Sequence, residues 1–176
     1  MEELLGKLED VLEPLFSGLP SLPKGVKDWF VKAWPILALI FGVLQLLAAW
    51  SLWHIGQLAN NLINYSNQLS NIYGTGVLAN HLGFFYWVSL IVLVIDAVIL
   101  LTAYPGLKAR SKKGWNMLFL GTLVNIVYGL VIAFGNGYGG VGNLIMALIS
   151  SAIGFYFLFQ VRSYYTSATK PATKSV

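Results

Sequence analysis

A chain of 176 residues that is 57% hydrophobic and only 10% charged differs from soluble domains, in which about a quarter of residues are charged. Its net charge of +4 is also unevenly placed: between Lys32 and Lys108 the only charged residue is Asp96, and from Gly114 to Val161 there is none. This excludes a water-soluble fold of this size, and the absence of cysteine excludes disulfides, thiolate nucleophiles and cysteine metal sites.

The chain opens Met1-Glu2-Glu3, acidic where a secretory signal is positive, and Glu2 stands where myristoylation needs glycine. The first long apolar helix is therefore expected to act as an uncleaved insertion signal. Leu4, Leu8, Leu12, Leu15 and Leu19, with Leu5 and Phe16 beside them, form a helical stripe. They predict an amphipathic helix within a cytoplasmic segment 1–33, which Pro14 should interrupt or restart. The polar face carries five carboxylates against Lys7, a net of −4 over the first sixteen residues. Such a face suits an anionic leaflet poorly. Two placements follow: docking on the basic loop at Lys108, Arg110, Lys112 and Lys113 or on a partner, or lying flat with the carboxylates in water.

About 20 apolar residues cross about 30 Å of hydrocarbon as a helix. Four stretches qualify, at 34–53, 84–104, 115–134 and 141–160. They are continuously apolar rather than alternating, which favours helices over barrel strands. The fold class expected is all-α: a polytopic membrane protein with a four-transmembrane-helix bundle over 34–161 and an N-terminal amphipathic helix. Pro35 is expected in the first turn of the first span, and Pro105-Gly106 at the stop of the second. Past Trp53, Asn60, Asn64, Asn67 and Asn71 recur at helical spacing opposite Leu58, Leu62, Tyr65, Leu69 and Ile72. They predict an outer helical extension over 54–73, ending near Gly74, with three placements open: packing on its own protein, lying on the outer interface, or meeting another chain. The Gly-rich stretch 135–142 reads as a tight turn, and 162–176 as a flexible cytoplasmic tail.

All eleven basic residues fall on one side of these spans. By the positive-inside rule both termini are expected in the cytoplasm, in a cell (plasma or inner) membrane.

Helices in lipid pack through small and polar residues. Gly42 and Gln45 share a face of the first span; Gly121, Asn125 and Gly129 share one of the third. Ala147, Ser150, Ser151 and Gly154 line a face of the fourth, and Asp96 lies in the second. At about 1.5 Å per residue, Gln45, Asp96, Asn125, Ser150 and Ser151 lie near one depth, so four helices contribute a polar layer. Asp96 is its only ionisable member. A carboxylate in a membrane costs about 2.5–3.5 kcal/mol and is a functional candidate by default. Three roles suit it: a protonated acid joining helices through Asn125 or Gln45, a proton or cation site, or a contact with another subunit.

His54 and His81 lack ligand partners at metal spacing, and catalytic motifs are missing, including nucleophile elbows, phosphate loops and paired intramembrane carboxylates. No cofactor or metal is expected, and no enzyme. The basic residues are too few and too close to the membrane for nucleic-acid binding. The string Pro105-Gly106-Leu107-Lys108-Ala109-Arg110-Ser111-Lys112-Lys113-Gly114-Trp115-Asn116, with Phe159-Gln160-Val161-Arg162-Ser163-Tyr164-Tyr165, resembles uncharacterised small four-helix membrane proteins of bacteria. The resemblance covers mainly the second half of the chain and implies a fold without an activity. The expected function is a non-enzymatic scaffold, accessory or assembly subunit, acting through helix–helix contacts with the lipid bilayer, other membrane subunits or itself. The alternative is a small oligomeric transporter or channel using Asp96 as a proton or cation site.

Overall fold

The computed structural model describes residues 2–74, 82–134 and 141–166; His81, most of the Gly-rich turn and the tail from 167 lie outside them. Among the described residues the chain is all-helical: α1 (Glu2–Ser17), α2 (Lys24–Tyr73), α3 (Phe84–Lys108), α4 (Lys112–Phe134) and α5 (Val141–Thr166). Four of them, α2 to α5, are long and apolar enough to cross a membrane. Lys24, Lys108, Lys112 and Arg162 mark the end of the long helices where α2 and α4 begin and α3 and α5 finish; this is the basic end.

Several boundaries differ from the sequence expectations, each for a local reason. Pro35 does not start the first long helix. It lies buried inside α2, and the residue at the N-cap is Pro23, φ −55° and ψ 144°. The helix begins before its apolar run because Phe30, Val31 and Trp34 already pack on the core. Pro105 likewise sits inside the last turns of α3, which runs on to Lys108. Pro14 does not break α1. At its other end α2 stops at Gly74, which adopts the left-handed conformation (φ 65°) and donates its N–H to the Ser70 carbonyl. At about 1.5 Å per residue, the 50 residues of α2 extend about 75 Å, far beyond about 30 Å of hydrocarbon. In the distal part Leu58, Leu62, Tyr65 and Ile72 are all exposed.

α2 packs along α3, α3 along α4 and α4 along α5, whereas α2 and α5 meet at few positions. The bundle is thus a row of neighbours left open between its first and last members. Glycines set the close approaches. A Cβ on Gly106 or Gly114 would overlap the other's backbone, so the α3–α4 hairpin closes glycine on glycine. Its turn includes Arg110 at φ 52°. A Cβ on Gly42 would stand 2.9 Å from Leu101, and one on Gly129 2.6 Å from Ala147. Gly121 and Gly154 have more room, with Ile99 at 3.4 Å and Thr122 at 3.6 Å from the equivalent positions. Gly56 is held against Tyr86, whose hydroxyl donates to the Leu52 carbonyl at 2.7 Å.

The densest packing is at the basic end. Trp115, Phe119, Leu107, Val161 and Tyr165 are fully buried there. The indole N–H of Trp115 donates to the Leu158 carbonyl at 2.9 Å. α1 covers this core with Leu5, Leu8, Leu12 and Phe16, while Leu4, Leu15 and Leu19 remain exposed. The expected stripe is therefore displaced by about one residue around the helix. Glu9 is buried beside it, paired with Arg162 and with Lys112, whose Nζ stands 2.6 Å and 2.7 Å from the two carboxylate oxygens. Arg162 also pairs with Glu13. Of the basic loop only Lys112 pairs with α1; Arg162, expected in a flexible tail, holds the other half of the contact within a helix that continues to Thr166.

Candidate intramembrane site

The open α2–α5 side leaves a cavity of about 600 Å³ bounded by all four long helices. α2 and α5 are joined beneath it. Phe30 meets Phe157 with ring centroids 4.6 Å apart. The strap 18–23 crosses at the same end: Tyr156 donates to the Pro20 carbonyl at 2.8 Å, Gln160 donates to it at 3.2 Å, and the Leu22 N–H donates to Gln160 Oε1 at 3.1 Å. Above these ties Trp34 and Leu158 form the floor of the cavity, and the helices part. From Leu118 to Ile132 along α4, the cavity extends about 20 Å at the helical rise.

All five residues of the expected polar layer line this cavity. Asp96 is 6% exposed and Ser151 8%, while Gln45 is half-buried. Asn125 and Ser150 are exposed where the cavity opens. Asn125 donates from Nδ2 to the Gly121 carbonyl at 3.0 Å. Oδ1 of the Asp96 carboxylate is buried without a partner, and so is Oε1 of Gln45. Both residues line the cavity. Buried polar atoms are nearly always bonded, and orphaned ones in a native fold call for an explanation.

The helix-packing residues fall into two groups. Gly121, Gly129, Ala147 and Gly154 line the cavity as well as setting helix spacing. Gly42 does not line it and faces α3. Tyr128 is a cavity residue that sequence reasoning missed; its hydroxyl lies 2.8 Å from that of Ser89, tying α4 to α3. The signal was its i+3 spacing from Asn125. His54 is far from this layer, with Nδ1 2.9 Å from the Trp50 carbonyl in an exposed position. Among the described residues no group of three His, Asp or Glu could hold a metal ion.

The arrangement can bind a ligand. Its polar groups are one carboxyl, two amides and hydroxyls, set in walls that are mostly apolar. Known ligand sites have this character, with volumes of about 300–1,000 Å³ and a few placed polar groups. Compared with protein-family models, curated proteins and solved structures, the chain matches none.

Proposed function

We propose that this chain is a non-enzymatic integral membrane protein that holds a small ligand within the bilayer, at a site centred on Asp96, as a carrier or receptor component. One observation carries this reading: five polar side chains from four helices line a single cavity, and two of them present buried acceptors without partners. A purely structural polar layer would satisfy its own atoms, since a half-satisfied network destabilises more than an apolar one. The distribution of Lys and Arg supports a cytoplasmic basic end, with both termini and α1 on that side.

The test is native mass spectrometry of protein extracted gently from its own membrane. A small molecule should remain on the chain and be lost from Ser150→Trp, which fills the exposed mouth of the cavity. Absence of any retained mass, or one indifferent to Ser150→Trp, would overturn the reading.

A scaffold role has separate support in the distal half of α2, whose exposed Leu58, Leu62, Tyr65 and Ile72 have 60% to 74% of their surface free. Contiguous apolar surface of this kind marks sites of association. Under this reading Leu62→Glu together with Tyr65→Glu would reduce the native assembly to single chains, and an unchanged mass would reject it.

A further inference from the structure

We infer that the ligand of the Asp96 cavity is a lipophilic organic cation, an ammonium on an apolar body, which reaches the site sideways from the bilayer between α2 and α5. The inference rests on the binding reading above and adds the chemical class and the route.

Charge determines the class. Among the described residues lining the cavity there is no Lys, Arg or His, so nothing in the wall compensates an ionised Asp96. An unpaired carboxylate in a low-dielectric site is costly, and a counter-charge bonded to it removes most of that cost. The unpartnered atoms, Asp96 Oδ1 and Gln45 Oε1, are both acceptors, so each calls for a hydrogen-bond donor. An ammonium is one; a carboxylate, phosphate or ether is not.

The walls determine the rest. A bare metal ion takes six or more oxygen ligands or keeps its waters, which this mostly apolar lining does not offer. Trp34, Phe41 and Tyr128 also line the cavity, and aromatic faces attract organic cations. The volume of about 600 Å³ accommodates a drug-sized body. The route follows from the ties at the basic end. The strap 18–23 and the Phe30–Phe157 pair close that end between α2 and α5. The parted helices above, with Phe41 and Ser150 exposed, leave the side open.

The experiment uses the full chain in detergent and two fluorescent probes with the same apolar body. These are 1-naphthylmethylamine, charged at neutral pH, and 1-naphthalenemethanol, which is neutral. The amine should bind about tenfold or more tightly than the alcohol, the usual worth of a charge-assisted hydrogen bond. Asp96→Asn, nearly isosteric, should erase that preference without weakening the alcohol. Gln45→Met, which keeps the volume and removes the second acceptor, should weaken the amine alone by a few-fold. Ser150→Trp should weaken both. Equal binding of the two probes by the wild-type chain, or an amine preference that survives Asp96→Asn, overturns the cationic class. If Ser150→Trp still blocks both probes, the binding site itself stands. If neither probe binds, the class is again rejected; whether the site falls with it is read from the native mass, which then shows either a retained small molecule or none.

Discussion

At the residue scale, the closest approaches between helices are made where side chains are absent. Gly106 and Gly114 touch backbone to backbone where α3 turns into α4. A methyl group on either has nowhere to go, because the atoms it would meet belong to the main chain of the neighbouring helix. Gly114→Ala should therefore cost about 1–3 kcal/mol, the usual penalty of overpacking. Gly154 faces Thr122 across an ordinary van der Waals gap, so Gly154→Ala should fall within about 0.5 kcal/mol of the wild type. Thermal unfolding in detergent, followed by tryptophan fluorescence, separates the two. Equal losses for both variants would show that helix spacing near α5 is as tight as at the hairpin. Asp96 is the counterpart among polar residues. Its position in the second span was legible from the sequence as a lone charge, but the partnerless Oδ1 was not, because satisfaction depends on which side chains arrive from other helices.

At the scale of elements, α1 shows how an amphipathic pattern can be read correctly as a helix and assigned to the wrong face. Its apolar arc is broad enough to serve two surfaces: Leu5, Leu8, Leu12 and Phe16 cover the core, and Leu4, Val11 and Leu15 stay exposed beside them. The acidic face is likewise divided. Glu9 and Glu13 turn to Lys112 and Arg162, whereas Glu3 pairs only locally with Lys7, four residues on. The helix therefore docks on the bundle through Lys112 and Arg162 rather than lying flat with all its carboxylates in water. Glu9→Gln should loosen α1 by about 1–3 kcal/mol, less than a fully buried pair would lose because both cations keep part of their exposure. Limited trypsin digestion reads this as faster cleavage at Lys24 and Lys27, and an unchanged rate would place the docking energy in Phe16 and the leucines instead.

At the scale of the whole molecule, packing is uneven along the axis: aromatic and closed at the basic end, hollow and open-sided through the middle. The same axis carries the charge asymmetry that orients the proposed membrane protein. Since the chain contains no cysteine, single cysteines can map its sides without background. Ser17→Cys, in the last turn of α1, should react with an impermeant maleimide only after the membrane is opened. Asn71→Cys, exposed near the far end of α2, should react in intact cells. The reverse pattern would invert the orientation, and labelling of both in intact cells would show that the four helices do not separate the two ends.

Hydropathy and charge accumulate along the chain, so they were legible before any folding. The number of bilayer-length helices, the gathering of the described Lys and Arg residues at one end and the stop near Gly74 follow from counting residues at a fixed helical rise. Helix ends near prolines were not legible, because Pro35 and Pro105 lie in helices sustained by contacts on either side of them. Nor was the choice of Arg162 over most of the basic loop as partner to α1, since it depends on where α5 finishes in space. Above all, only the tertiary structure decided that the polar layer encloses a cavity. Four compatible faces could have closed on one another; the ties between α2 and α5 lie at one end, and the space above them remained open.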